Sequence, residues 1–299
     1  MSTTIGFVGL GVMGGPMAEN AGKRFSGIRI FDVDAERVRR IAGGNLIPAS
    51  GLTDLGASSD VAILSLPTSE VVKKVVFGGG TPENGMARSL KPGSVIVDTS
   101  TTELSVTLEI AERLQETGIE FLDAPVSGGE KAAIDGTLSF MVGGKAGVFE
   151  RCQPVLAAMG ASVTRVGATG TGQSAKCVNQ MIVGATFAVI AESFALGTKA
   201  GIDPKVLYEA IKGGWAGSKV LDTAARDMFS REFKPGGTVD IHWKDLGYAL
   251  SLAKREDVPT PVTALVHEVF KAARAAGDGK HSQPAVVRLW EQLLNLEVK

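Results

Sequence analysis

TIGFVGLGVMGGPMAENAGKRFSGIRIFD, from Thr4 to Asp32, is the stretch on which the fold turns. Thr4 to Leu10 is apolar enough for a buried strand and runs into Gly9, Gly11 and Gly14, spaced G-x-G-x-x-G. Pro16 then falls in the first turn of a helix, where its missing N–H breaks no hydrogen bond. Ile28 to Phe31 is the next apolar strand and ends on Asp32, close to the roughly 20-residue spacing expected of a ribose-binding acid. The glycine triplet alone is weak evidence; strand, loop, helix, strand and acid in register are strong. Gly9, Leu10, Gly11, Val12, Met13 and Gly14 are therefore expected to carry a pyrophosphate at a helix N-terminus. Asp32 is expected to accept from a 2′-hydroxyl. A carboxylate there repels a 2′-phosphate, which favours NAD over NADP. Arg37 and Arg39 stand close by and keep NADP open.

The alternation continues downstream. Asp60–Leu66, Ser94–Asp98 and Glu120–Asp123 read as buried strands, Thr137–Gly143 as one more, and Glu103–Glu116 and Ala146–Met159 as helices. Strands alternating with helices predict an α/β domain with a parallel, doubly wound sheet of the Rossmann type. Ligands of such sheets gather beyond the carboxyl ends of the strands. Gly9–Gly14, Asp32, Leu66-Pro67-Thr68, Thr99–Thr101 and Ser127–Gly129 are all strand-end loops and are expected to ring one crevice. The boundary is placed near Gly167, giving a nucleotide-binding domain over 1–166 and a second domain over 167–299.

That second domain opens on GTGQSAKCVNQMIVGATFAVIAESFALGTKAG, Gly170 to Gly201. Thirty residues without proline predict a helix of about 45 Å. It is apolar on nearly every face, and such a helix is buried all round or lies in a membrane. Glu192 cuts the apolar run below the roughly 20 residues of a span, which predicts a soluble core helix. The small domain offers it too little cover, so a dimer or tetramer packed through the helical domain is expected. Its first turns are polar, with Lys176 and Asn179 three apart on one face. A lysine at the mouth of a buried helix usually reaches for water. Further helices are predicted over Pro204–Lys212, Ser218–Phe229, Ile241–Glu256, Pro261–Ala276 and Gln283–Leu294, with a turn at Phe233–Gly236. The domain is thus all-α, joined to the first by the long helix.

Composition narrows the class of partner. The net charge of −1 gives no electrostatic case for nucleic acid or an acidic membrane surface. Cys152 and Cys177 fall in apolar helical surroundings and read as small buried hydrophobes in a reducing compartment. With no signal-like segment at the start, a cytoplasmic protein is expected. His242, His267 and His281 lack metal-ligand spacing, so no metal is assigned. The chain has no G-x-S-x-G elbow and no P-loop to suggest hydrolysis or phosphoryl transfer.

Three segments carry a resemblance: GFVGLGVMGGPMAEN from Gly6, DAPVSGG from Asp123 and GTGQSAKCVNQ from Gly170. They are similar to signatures of the β-hydroxyacid dehydrogenase family, and FKPG from Phe233 and KDL from Lys244 extend the match over nearly the whole chain. The resemblance implies hydride transfer between a nicotinamide cofactor and a small hydroxy acid or semialdehyde acid. It implies that Lys176 is the catalytic lysine and Asn179 its polar partner, with Gln180 where many members carry a second asparagine. Ser127, Gly128 and Gly129 would hold a substrate carboxylate, and Thr101 and Lys244 would contact the cofactor. SGGEKAAIDGTLS from Ser127 and GGWAGSKVLD from Gly213 resemble the members that reduce tartronate semialdehyde to glycerate. Substrates of the 3-hydroxyisobutyrate or four-carbon threonate type stay open, as does a regulatory protein that binds nucleotide without turnover. A protonated lysine beside the reacting oxygen can stabilise its charge and donate the proton; in the oxidative direction it must accept one, which asks for a lowered pKa. Trp215 is expected either to narrow the substrate pocket or to pack in the core. The segment GDGKHS from Gly277 lacks the aspartate expected before its serine.

Overall fold

A computed structural model describes residues 3–79, 85–234 and 236–299. Pro235, in the expected Phe233–Gly236 turn, lies outside them. Packing divides the chain into two units, Met1–Lys176 and Cys177–Lys299.

The first unit alternates as its apolar runs predict. The strands are β1 (Ile5–Val8), β2 (Ile28–Phe31), β3 (Leu46–Pro48), β4 (Val61–Leu64), β5 (Val95–Asp98), β6 (Glu120–Asp123), β7 (Val126–Ser127), β8 (Leu138–Gly143) and β9 (Gly160–Gly167). Between them lie α1 (Gly14–Gly22), α2 (Ala35–Ile41), α3 (Leu52–Ala57), α4 (Ser69–Phe77), α5 (Leu104–Gln115), α6 (Gly129–Asp135) and α7 (Ala146–Leu156). The sheet order is β3-β2-β1-β4-β5-β6-β8-β7, with β9 beside β8. The order reverses between β1 and β4, the switch point at which doubly wound sheets open a crevice.

The strands are apolar on both faces because both are covered. In β4, Val61 and Ile63 enter one core with Phe7, Ile30 and Val97, while Ala62 and Leu64 enter the other with Val8, Ile96 and Phe121. The expected parallel pairing holds from β3 through β6 and for β8 with β9, but β8 runs antiparallel to β6 and β7. The reason is local. The short α6 turns the chain straight back, so β8 returns against β7 with Val126 opposite Phe140 and Ser127 opposite Ser139.

The helical unit comprises α8 (Thr171–Lys199), whose first residues belong to the first unit, and α9 (Pro204–Ile211), α10 (Lys219–Ser230), α11 (Val239–Arg255), α12 (Pro261–Ala273) and α13 (Val287–Leu294). Asp203, Ser218 and Thr238 cap α9, α10 and α11 by accepting from backbone N–H groups of their first turns, each worth about 1 kcal/mol. The expected helix to Ala276 stops at Ala273. A wider turn over Arg274–Asp278 follows, because Gly277 takes a φ of 98° that breaks the helical run.

The shortage of cover expected for the long helix is visible in the single chain. Helix α8 buries Phe187, Ile190, Ala191 and Phe194 in the helical core, yet it is not covered all round. Val178, Ile182, Val189 and Leu196 stand 53, 64, 55 and 68% exposed. By length and composition α8 would pass for a membrane span, and under half of its most apolar window is buried. The helices that pack on it cover one side only.

Candidate active site

The glycine-rich loop after β1 has the shape its sequence requires. Gly9 adopts a φ of 92°, open to glycine at no steric cost. A Cβ at Gly9 would meet the Ser65 carbonyl oxygen, and one at Gly14 the Gly9 carbonyl oxygen, so backbone packs against backbone. No side chain caps α1 and no acid lies in its first turn, which leaves that positive helix end to an anionic group. A Cβ on Gly11 would have only Arg37 within 4 Å, at 3.8 Å. The cradle fits a pyrophosphate.

Asp32 directly follows β2 and is buried, but its carboxylate faces the loop. Oδ2 accepts from Leu10 N at 2.7 Å and Oδ1 from Asp34 N at 2.8 Å. Arg37 lies on the outer side, 3.6 Å from Asp32 and 3.3 Å from Asp34. Asp32 therefore fixes the loop as well as presenting charge beside it.

The next strand ends are laced together. Leu66 N, after β4, donates to Ser100 Oγ at 2.9 Å. Asp98, the last residue of β5, accepts from Ser100 N and lies 3.4 Å from Thr102 Oγ1, which holds the loop carrying Thr101. Asp123, its register partner at the end of β6, accepts from Gly170 N at 2.8 Å and Gln173 N at 2.9 Å, at the start of α8. Burial pushes Asp98 up to about 7 and Asp123 up to about 6, against which their hydrogen bonds pull down. Gly172 is required there, since a Cβ would strike the carbonyl oxygens of Asp123 and Met141.

Ser127 pairs with Ser139 at the edge of β7, and Gly128 and Gly129 follow with φ of 133° and 71°. Only glycine takes such a pair comfortably. The segment is braced from α1, where the buried Asn20 Nδ2 donates to the Ala133 and Ile134 carbonyls at 2.7 and 3.2 Å. Lys176 is the last residue of this unit and is buried, 8% exposed. Its position near the start of α8 does not lead it out to water.

In the helical unit, the expected residues form one network. Asn179 Nδ2 donates to Gln180 Oε1 at 2.8 Å, and Gln180 Nε2 donates to Asp245 Oδ2 at 2.7 Å. Lys244 Nζ pairs with Asp245 Oδ1 at 3.2 Å. His242, fully buried and stacked on Phe270, completes it. Its Nδ1 faces the side-chain amides of Gln180 and Gln283, so it accepts, and Nε2–H donates to the Gln180 carbonyl at 3.2 Å. Gly184 leaves room for that ring. Sequence assigns no role to His242, Asp245, Gln283 or Gln173, although GTGQSAKCVNQ contains Gln173 and KDL contains Asp245. Trp215 is fully exposed after α9 and packs in no core. Lys280 and His281 precede Ser282 in the segment that lacks the expected aspartate, and Lys280 pairs with Asp240 at 3.0 Å.

Residues 4–167 match a family model described as the NAD binding domain of 6-phosphogluconate dehydrogenase. Residues 170–290 match one described as the NAD-binding region of NADP-dependent 3-hydroxyisobutyrate dehydrogenase. The chain belongs to the NAD(P)-dependent β-hydroxyacid dehydrogenases. Among β-hydroxyacid dehydrogenases, it is 38% identical to the 2-(hydroxymethyl)glutarate dehydrogenase of Eubacterium barkeri, over 99% of this chain and 98% of that enzyme. It is 36% identical to the 2-hydroxy-3-oxopropionate reductase of Escherichia coli strain K12, over 97% and 98%. The solved 3-hydroxyisobutyrate dehydrogenase of Salmonella typhimurium superposes with a TM-score of 0.88 at 28% identity, covering 96% of this chain and all of that one. This β-hydroxyacid dehydrogenase is thus an oxidoreductase that binds a nicotinamide dinucleotide.

Proposed function

We propose that the protein reduces a short semialdehyde acid, tartronate semialdehyde first among candidates, to its hydroxy acid, with Lys176 as proton donor. The observation that carries the reading is a buried lysine within one turn of two amides, Asn179 and Gln180, on α8. The cofactor supplies the hydride when bound. Lys176 gives its proton to the carbonyl oxygen as charge develops there, and takes it back in the oxidative direction. Asn179 and Gln180 orient the reacting oxygen. Ser127, Gly128 and Gly129 receive the substrate carboxylate through backbone N–H groups that glycine leaves accessible. Gly9–Gly14, Asp32, Leu66, Pro67, Thr101 and Lys244 hold the cofactor. NAD is the preferred form, because Asp32 and Asp34 already engage Arg37 and leave an acidic edge beside β2. The domains so defined are 1–166 for nucleotide and 167–299 for substrate and self-association.

Lys176→Ala should lower kcat for NADH-dependent reduction of tartronate semialdehyde by at least about a thousandfold while NADH still binds. NADPH run beside it should serve poorly. An active Lys176→Ala would sink the mechanism. The likeness to the Eubacterium barkeri enzyme favours a second reading, oxidation of a longer hydroxy acid. Negligible wild-type turnover of tartronate semialdehyde, with oxidation of threonate, 3-hydroxyisobutyrate or 2-(hydroxymethyl)glutarate, would select it.

The protein also self-associates in this reading. Val178, Ile182, Val189 and Leu196, all exposed, follow one another at four, seven and seven residues, the spacing of one continuous seam on a helix. Ile182→Glu should convert the wild-type dimer or tetramer to monomer in sedimentation at micromolar concentration. A monomeric wild type would refute it.

A further inference from the structure

We propose that Gln173 is a positioning residue, a buried latch that ties the turn carrying Lys176 to the loop carrying Thr101. The proposal rests on the proton-donor role of Lys176 proposed above and adds what holds that residue in place.

Gln173 has no solvent exposure. Its backbone N–H is taken by the Asp123 carboxylate, which fixes the first turn of α8 on the end of β6. Its side chain reaches the other way. Oε1 accepts from Thr102 N at 3.1 Å and Nε2 donates to the Ser100 carbonyl at 2.9 Å. These two bonds bracket Thr101. The backbone dictates which end of the amide points where, since an N–H needs the oxygen and a carbonyl needs the nitrogen. One planar group therefore reads both sides of the loop and cannot turn without losing both bonds.

The latch continues outward through Ser100, whose hydroxyl accepts from Leu66 N and whose backbone N–H is held by Asp98. Three strand ends, those of β4, β5 and β6, thus meet at the start of α8. Lys176 follows Gln173 by three residues and so lies on the neighbouring turn of the same face. Displacements near 1 Å at a reacting group cost on the order of a hundredfold in rate. A loop that carries a cofactor contact and a helix that carries the proton donor need a common reference, and Gln173 joins them directly. Of the carboxylates at the strand ends, Asp123 accepts from the Gln173 backbone and Asp98 holds Ser100 and Thr102, the two residues that the Gln173 amide reaches.

The test uses whichever of tartronate semialdehyde, threonate, 3-hydroxyisobutyrate and 2-(hydroxymethyl)glutarate the wild type turns over fastest. Gln173→Met keeps the volume and removes both bonds. Its kcat should fall about ten- to a hundredfold with KM and the NADH Kd within about threefold. Without any cofactor, amide hydrogen exchange in the Ser100–Thr102 segment should rise at least tenfold. A kcat within twofold of wild type, or unchanged exchange, would overturn the proposal. Gln173→Glu carries the test if the first variant does not fold. Its ionised carboxylate cannot donate to the Ser100 carbonyl, whereas its protonated carboxyl can. The ratio of its kcat to that of wild type should therefore rise as pH falls from 8 to 5.5, and a flat ratio would overturn the proposal. Lys176→Ala, run alongside, separates the two failures. If it stays active, the reading of Lys176 falls; if it is inactive while Gln173→Met is not impaired, only the latch falls.

Discussion

The two units build their polar sites by different means. In the first, backbone does the positioning: Gly9, Gly14 and Gly172 bring main chain against main chain, and Asp32, Asp98 and Asp123 tie strand ends to the loops beyond them. In the helical unit, side chains hold side chains: Asn179, Gln180, Asp245, Lys244, His242 and Gln283 form one network between helices. Parallel strands end together and expose their terminal backbone groups on one rim, so glycines and short acids suffice there. Helix interiors satisfy most of their backbone internally and meet one another mainly through side chains, the Gln180 carbonyl that accepts from His242 apart. The difference predicts where each site breaks. The first should fail in geometry and ligand affinity, the second in stability.

Gly14→Ala tests the first site most severely. Its Cβ would overlap the Gly9 carbonyl oxygen, and relief moves either the loop or α1. Overpacking of this kind costs about 1–3 kcal/mol, so the NADH Kd from fluorescence titration should rise roughly ten- to a hundredfold. An unchanged Kd would mean that the loop does not form the cofactor cradle. Gln180→Leu probes the second. It strips one donor each from the buried Asp245 and His242, and leaving such groups unmet costs about 1–3 kcal/mol. The melting temperature should drop by about 2–8 °C. No drop would show that the network repacks freely, and the contrast between the units would go.

What could be read from sequence follows the same division. The glycine triplet and Asp32 were legible because backbone demands leave a fixed spacing, and α8 because thirty residues without proline allow little else. Strands β3 and β7 were not, at three and two residues, the first ending in Pro48. Strand β9 was passed over because most of its residues are exposed and carry no apolar alternation. The exposed seam on α8 was hidden for the opposite reason: an all-apolar helix does not announce which face lacks a neighbour. Lys176, Asn179 and Gln180 are pointed to by resemblance, and Gln173 and His242 are not, since a buried amide or imidazole acquires its role from partners some 60 or 70 residues away. Periodicity cannot see those partners.

The smallest effect concerns Asp98 and Asp123, the paired carboxylates at the rim of the first unit. Burial raises both above the ordinary 3.8, to about 7 and about 6. The folded chain therefore holds protons that the unfolded chain has released, and stability falls as pH rises from about 4 through 7. The contribution is fully present below the unfolded value and lost above the folded one. Asp60, Glu109 and Asp240, held low by hydrogen bonds to Thr4, Lys73 and Arg274, act in the opposite sense, and only as pH falls below about 4. The two windows meet near pH 4, and only the first extends to neutral pH. Asp98→Asn isolates the first. An asparagine oxygen can still accept from Ser100 N, and its NH2 can donate to Thr102 Oγ1, which in turn can donate to Thr107 Oγ1, 2.7 Å away. Nothing polar is left unmet, and no charge is buried. At pH 8 the variant should melt about 2–4 °C above wild type, the shift that roughly 1 kcal/mol gives in a protein this large. At pH 5 the two should converge. If the melting temperatures stay parallel from pH 8 to 5, Asp98 does not titrate there, and its carboxylate is carried charged within the fold.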